Sequence, residues 1–104
     1  AKTNQEEIFG PVVTLIPFDN EEDAIQIANE SDYGLSATIW TEDKEKAIRV
    51  SNQVEAGVIW VNCWLVRDLR TPFGGMKHSG VGREGGFKSL EFFTEPKNIC
   101  EQIS

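Results

Sequence analysis

Three short apolar segments recur along the first two thirds of the chain, at residues 12–16, 35–40 and 58–61. The first and third are rich in β-branched residues and almost continuously apolar, without the alternation of a half-buried strand. Such runs are typical of strands that are buried on both faces, which is the usual situation in parallel sheets. We therefore predict three strands that favour parallel pairing.

Amphipathic segments separate these predicted strands. Asp19 or Asn20 is the expected N-cap of a first helix, because three acidic residues follow where the helix dipole favours negative charge. Thr41 is the expected N-cap of a second helix, and Gly57 its left-handed end. The residues expected to face inward are small or aliphatic: Ala24, Ile25, Ile27 and Ala28 in the first helix, and Ala47, Ile48, Val50 and Val54 in the second.

The order strand, helix, strand, helix, strand predicts two right-handed βαβ units. The fold class is therefore α/β, with a mostly parallel sheet and crossover helices. A glycine-rich loop over residues 63–83 follows, then a last helix over about residues 84–93 and a short strand over residues 98–103. A loop of that length in a compact domain is usually functional.

Glycines are concentrated in residues 72–84, which hold four of the nine in the chain. Glycine permits left-handed backbone and close approach, so we expect this loop to receive a ligand or another chain segment. The spacing Gly80-x-Gly82-x-x-Gly85 matches the dinucleotide-binding fingerprint. That fingerprint requires an apolar strand directly before it and a βαβ unit after it, and neither is present. We predict instead a turn that packs closely against neighbouring backbone.

Charge is unevenly distributed along the 104 residues, which form one domain or a piece of one. Residues 1–62 carry a net charge of −8 and residues 63–104 a net charge of +1. An acidic chain repels phosphate backbones, so nucleic acid is not expected as a partner. Five cations surround the glycine-rich loop and form either an anion site or, as we favour, a solvated face: Arg67, Arg70, Lys77, Arg83 and Lys88.

The remaining candidate groups are few. Cys63 and Cys100 lack metal-ligand spacing, and a single histidine cannot complete a zinc site, so no metal is expected. A disulfide between them stays open, and for Cys63 we favour a buried, inert thiol. Glu6 and Glu7 could bind the hydroxyls of a diol, although a solvated turn is the simpler interpretation. No apolar run is long enough to span a membrane and no leader pattern is present, so the expected location is the cytoplasm.

Four blocks of sequence nevertheless resemble, in order and spacing, the C-terminal part of the catalytic domain of an NAD(P)-dependent aldehyde dehydrogenase. The resemblance covers essentially residues 1–104. The blocks are Glu6-Glu7-Ile8-Phe9-Gly10-Pro11-Val12, Tyr33-Gly34-Leu35-Ser36-Ala37, Gly57-Val58-Ile59-Trp60-Val61-Asn62, and Pro72-Phe73-Gly74-Gly75-Met76-Lys77-x-Ser79-Gly80-x-Gly82-Arg83-Glu84.

The resemblance implies a role for several side chains. Enzymes of this family oxidise an aldehyde through a cysteine thiolate, hydride transfer to nicotinamide and hydrolysis of the thioester by glutamate-activated water. By resemblance, Glu7 hydrogen-bonds the nicotinamide ribose and Phe9 packs beside the nicotinamide. Phe73 lines the aldehyde tunnel, and residues 64–70, including Leu65 and Arg67, lie at its mouth.

The same resemblance shows what this chain does not contain. The Gly-Gln-x-Cys context of the nucleophile and the Glu-Leu-Gly-Gly context of the general base are absent from the sequence. The cofactor, NAD or NADP, is then bound mainly by residues outside this chain. We expect no catalytic residue here, no activity from the isolated piece, and as partners the rest of the polypeptide, a small aldehyde and further copies in a homo-oligomer.

Residues 62–73 are similar to the corresponding loop of the 2-hydroxymuconic and 2-aminomuconic semialdehyde dehydrogenase group, whose substrates carry a carboxylate. Arg67 would then bind that distal carboxylate. Two other functions stay open: a scaffold or oligomerisation module that kept the fold and lost the chemistry, and an anion-binding module that uses the basic loop.

Overall fold

The computed structural model describes residues 2–103. Regular structure is concentrated in the middle of the chain, and the segments on either side of it are largely irregular. The elements, in chain order, are α1 (Lys2–Gln5), α2 (Glu21–Asn29), β1 (Tyr33–Gly34), β2 (Ser36–Ile39), α3 (Lys44–Ser51), β3 (Val58–Val61), β4 (Met76–Lys77) and α4 (Gly86–Phe93).

The centre of the fold is a βαβ unit formed by β2, α3 and β3. The two strands pair in parallel, from Ser36 opposite Val58 to Ile39 opposite Val61. This unit was predicted from the apolar runs. It confirms α/β character and one of the two expected parallel crossovers.

The helix caps agree with the prediction at one helix and differ at the other. Asn20 caps α2, with its side-chain oxygen accepting a hydrogen bond from the N–H of Asp23 at 2.9 Å. The cap of α3 is Asp43, which accepts from the N–H of Lys46 at 3.0 Å, and the prediction of Thr41 was wrong. Both backbone groups of Thr41 are instead bonded to the amide side chain of Asn62, at 2.9 and 2.8 Å.

The strands predicted at the two ends of the chain are not formed. Residues 12–16 and 98–103 have no strand partner among the described residues. A strand is stable only when a neighbour pairs its backbone groups. Without one, the apolar side chains stay exposed, with Leu15 88% and Ile103 90% accessible. Helix α1 was not predicted.

A small antiparallel ladder joins the glycine-rich loop to the middle of the chain, and the sequence did not reveal it. Tyr33 of β1 pairs with Lys77 of β4. Gly57 contributes by close approach and not by the left-handed conformation that we predicted, since its φ is not positive. A side chain at Gly57 would collide with the carbonyl of Gly74, so this contact brings the loop against the start of β3.

The buried core is small for a chain of this length. Among the described residues, only Ala47, Ala56 and Trp60 are buried apolar residues. The radius of gyration is 18.5 Å, against about 13 Å for a compact domain of 100 residues. Much of the apolar surface is therefore available to further protein. No helix in residues 2–103 has both the length and the apolar character needed to cross a membrane.

Candidate functional site

Trp60 connects the buried centre of the fold to the loop that follows β3. The indole N–H donates to the carbonyl oxygen of Val66 at 2.9 Å, and the residue is only 6% exposed. Asn62 and Leu65 both have positive φ, 52° and 57°. The backbone therefore turns sharply twice before Val66 returns to the tryptophan.

A tight turn follows at residues 68–71. The N–H and hydroxyl of Thr71 donate to the carbonyl of Asp68 at 3.0 and 2.7 Å, and the N–H of Arg70 donates to the Asp68 carboxylate at 2.9 Å. The Arg70 guanidinium binds the same carboxylate. These bonds, first from the side chain and then from the backbone of Arg70, hold the pKa of Asp68 below its ordinary value.

Backbone hydrogen bonds join the end of this loop to the start of α4. Phe73 and Glu84 exchange two hydrogen bonds of 2.7 Å each in an isolated antiparallel bridge. The N–H of Gly86 donates to the carbonyl of Leu69 at 3.2 Å. A side chain at Gly85, whose φ is +80°, would collide with the carbonyl of Thr71. Glycine is required here because two backbone segments touch.

This framework brings Arg67, Phe73 and Glu84 together on the surface. The guanidinium carbon of Arg67 lies 4.2 Å from the centre of the Phe73 ring. One Arg67 nitrogen lies 3.5 Å from a carboxylate oxygen of Glu84. Two residues that the resemblance assigns to the substrate tunnel are thus in contact. Leu65, the third, is 55% exposed in the same loop.

Glu7 and Phe9 lie apart from this cluster. Glu7 is exposed, and no hydrogen bond or ion pair to it is present within residues 2–103. Phe9 is 93% exposed and has a φ of 53°, which a non-glycine residue rarely adopts. The predicted cofactor residues are therefore accessible to a ligand or to further protein, and the structure does not join them to the loop.

The cations around the loop are engaged with protein groups. Arg83 donates to the carbonyls of Gly75 and Gly82 at 2.8 and 2.7 Å. The others form ion pairs: Arg67 with Glu84, Arg70 with Asp68, Lys77 with Glu55 and Lys88 with Glu91. An anion site formed by all five cations is therefore disfavoured.

The dinucleotide fingerprint lies in a context that does not suit such a loop. The preceding strand, β4, has two residues and is antiparallel, and Gly82 lies directly against the ring of Phe92. The turn is closely packed, as predicted, but at Gly82 the neighbour is a side chain; the predicted contact with neighbouring backbone is found at Gly85, against the carbonyl of Thr71.

The thiols give no sign of metal or disulfide chemistry. Cys63 is only half-buried, so the predicted burial of this thiol is incomplete, and Cys100 is exposed. Both are free. In residues 2–103 no group of three or more histidine, cysteine or acidic side chains could hold a metal ion.

Two residues with clear structural roles were missed in the sequence. Lys77 donates to the carbonyls of Asn29 and Ser31 at 3.1 and 2.7 Å and pairs with Glu55 at 2.8 Å. It lies in the glycine-rich loop, where no local pattern indicates these contacts. Glu84 was quoted only as part of a motif. Its proximity to Phe73 and Arg67 depends on a bridge between residues eleven apart, for which the sequence gives no signal.

Comparisons with known proteins identify the family of this chain. The aldehyde dehydrogenase family matches residues 1–99. The chain is 61% identical to a 2-hydroxymuconic semialdehyde dehydrogenase from Pseudomonas sp. (strain CF600), over 94% of this chain and 20% of that protein. It is 60% identical to a 2-aminomuconic semialdehyde dehydrogenase from Danio rerio, over 91% of this chain and 20% of that protein. The chain thus spans about a fifth of the length of these relatives.

Solved structures are also similar to this chain in fold. HpcC from Thermus thermophilus superposes with a TM-score of 0.85 at 44% identity, covering 96% of this chain and 21% of that one. A point mutant of betaine aldehyde dehydrogenase from Staphylococcus aureus, in complex with NAD+, superposes with a TM-score of 0.82 at 46% identity, covering 86% of this chain and 18% of that one. This chain belongs to the aldehyde dehydrogenase family.

Proposed function

We propose that this chain is a segment of an NAD(P)-dependent enzyme that oxidises a semialdehyde carrying a carboxylate to the corresponding acid. The observation that supports this substrate class is the guanidinium of Arg67, which is about half exposed and stacked on Phe73. A planar guanidinium can meet a carboxylate with two parallel hydrogen bonds. Relatives at 60–61% identity are named as dehydrogenases of muconic semialdehydes.

The cofactor residues fit their proposed roles chemically. Glu7 is an exposed carboxylate without a protein partner in residues 2–103, and a carboxylate can accept both hydroxyls of a ribose. Phe9 presents an exposed ring that could pack against a flat heterocycle. NAD(P), when bound, supplies the acceptor for the hydride. Most of its contacts would come from outside this chain.

The segment would therefore shape the site without supplying the reacting groups. Phe73 and Leu65 would form apolar wall beside the aldehyde, and Arg67 would hold the far end of the substrate. The nucleophile and the general base would come from the rest of the polypeptide. By analogy with the family, the complete enzyme would be a homo-oligomer in the cytoplasm.

A chimera tests the proposal. The aligned 98-residue segment of the Pseudomonas enzyme would be replaced by the corresponding residues of this chain. We expect the chimera to oxidise 2-hydroxymuconic semialdehyde with NAD, and the isolated 104-residue chain to show no turnover. A folded chimera that binds NAD but lacks turnover would instead favour the scaffold alternative.

Within the chimera, Arg67→Ala should lower kcat/KM for the carboxylated semialdehyde. The loss of transition-state stabilisation should be about 2–4 kcal/mol, the scale of a lost charge-paired contact. For a neutral aldehyde of similar length the loss should be near zero. Arg70→Ala is the matched control, because the Arg70 side chain is 89% exposed and its guanidinium is already bonded to Asp68. Equal losses on both aldehydes would show that Arg67 only supports the loop.

A further inference from the structure

Glu84 is the acidic residue that contacts Arg67, and its position is fixed by the backbone. The two 2.7 Å hydrogen bonds between Phe73 and Glu84 place the ring and the carboxylate next to each other. Arg67 lies over both, with its guanidinium on the ring face and one nitrogen towards the carboxylate. The cation is therefore partly neutralised before any ligand arrives.

The contact between Arg67 and Glu84 is loose. It is a single contact of 3.5 Å, at the limit of a hydrogen bond, between side chains that are 44% and 62% exposed. The pair of Arg49 and Glu21 shows the alternative, with two bonds of 2.6 and 2.8 Å. A substrate carboxylate that forms two parallel bonds would therefore replace Glu84 at low cost.

We propose that Glu84 is a specificity-determining counter-ion that competes with the carboxylate of the substrate for Arg67. This inference rests on the proposed function, in which Arg67 binds that carboxylate. While Glu84 is paired, an incoming anion meets a nearly neutral pair and not a full positive charge. Glu84 thus weakens the binding of carboxylated substrates and products, and it pairs again with Arg67 when the product leaves.

The two possible roles of Glu84, competing for Arg67 or holding Arg67 in place, predict opposite changes in KM when Glu84 is removed. If Glu84 only held Arg67 in place, its removal would raise KM for the carboxylated substrate. If it competes, its removal lowers KM, because Arg67 then presents an uncompensated charge. The effect is bounded by the small contribution of an exposed ion pair, which corresponds to a factor of about five at most.

The test is Glu84→Gln in the full-length enzyme, native or chimeric. We expect the ratio of KM for the carboxylated semialdehyde to KM for a neutral aldehyde to fall about threefold, and the inhibition constant of the dicarboxylate product to fall in parallel. The difference should shrink in about 1 M salt, where exposed charges are screened. Glu91→Gln is the matched control, because it removes one charge from a similarly exposed pair with Lys88 and should leave the ratio unchanged.

An unchanged or increased ratio in Glu84→Gln would overturn the proposal. If that variant fails to fold, Glu84→Asp replaces it, since the shorter carboxylate draws away from Arg67 and should lower the ratio to a smaller extent. In the double variant Arg67→Ala/Glu84→Gln the effect should vanish. If Arg67→Ala alone lowers kcat/KM equally for both aldehydes, the substrate class in the proposed function fails as well. If Arg67→Ala lowers kcat/KM only for the carboxylated aldehyde and Glu84→Gln leaves the KM ratio unchanged, only the role of Glu84 fails.

Discussion

Two apolar segments of similar composition, residues 12–16 and Val58–Val61, have different structures in this chain. The second forms β3, pairs with β2 along its whole length and buries Trp60. The first pairs with nothing in residues 2–103, and Val13 and Leu15 are 83% and 88% exposed. Apolar composition therefore predicts that a segment is buried in the folded protein, but it does not show which part of the protein covers that segment. Because the chain spans a fifth of its relatives, we expect residues 12–16 to be covered by the remainder of the polypeptide.

The largest expected effect on stability is in β3, the segment that is packed in this structure. Trp60→Ala should destabilise the chimera by about 3–5 kcal/mol, because it empties the centre of the core and removes the bond to Val66. Urea unfolding would measure the change. Trp60→Phe keeps most of the volume and should cost mainly the single hydrogen bond, about 0.5–1.5 kcal/mol. A cost below about 1 kcal/mol for the alanine variant would mean that the core does not depend on this residue.

The exposed segment provides the next test. If the rest of the polypeptide covers residues 12–16, Leu15→Ala should cost the chimera about 2–4 kcal/mol, the range for a buried leucine, although Leu15 is 88% exposed here. Leu15→Met conserves volume and should cost less than about 1.5 kcal/mol. Identical urea midpoints for the parent and Leu15→Ala would show that the segment stays in solvent in the full-length protein.

A smaller effect is expected where the loop touches the start of β3. Gly57→Ala places a methyl group against the carbonyl of Gly74, so we expect a loss of about 1–3 kcal/mol from the strain of overpacking. Thermal unfolding of the chimera would report it. Gly10→Ala is the control, because the nearest atom to its added methyl, the Ile8 carbonyl oxygen, lies 4.0 Å away. If the two substitutions cost the same, close approach is not the reason for glycine at position 57.

These contacts show which parts of the structure sequence reasoning could reach. Strand β3, helix α2 and its Asn20 cap depend on residues close in the sequence, and each was predicted. The cap of α3 was misplaced by two residues because Thr41 and Asp43 both have capping side chains, and only the contact with Asn62 distinguishes them. That contact joins residues 21 apart, which no local pattern reveals.

The candidate site was predictable to a similar extent. Resemblance singled out Arg67 and Phe73, and the structure places them in contact. It did not give Glu84 a role, because the bridge between Phe73 and Glu84 depends on how the loop returns to α4. The roles of all five residues stay predictions, since their proposed partners are a cofactor and a substrate: Glu7, Phe9, Leu65, Arg67 and Phe73.

The smallest effect concerns the ion pair between α2 and α3. The side-chain hydrogen bond from Arg49 holds the pKa of Glu21 below its ordinary value of 4.5. The folded state therefore binds this proton less tightly than the unfolded state. The stabilisation is present above the ordinary pKa and is lost as the pH falls through the lower, folded value.

Glu21→Gln should accordingly lower the thermal midpoint slightly at pH 7, and the difference should shrink progressively as the pH falls below the ordinary value of 4.5. Thermal scans of the chimera between pH 7 and pH 3 would measure it. Glu22→Gln is the control, because no ion pair of Glu22 is present within residues 2–103. A difference that is independent of pH would show that the charge of Glu21 is not what stabilises the pair.

Lys77 has a consequence for the order in which this segment is assembled. Its ammonium bonds to carbonyls 48 and 46 residues earlier, at Asn29 and Ser31, and to the carboxylate of Glu55. Each contact closes a long loop, and the entropic cost is offset only when the receiving groups are already in place. Because synthesis proceeds from the N-terminus, α2, β1 and β3 emerge from the ribosome before Lys77 does. The wall of the proposed tunnel would thus be added to a surface that the earlier part of the chain has already formed.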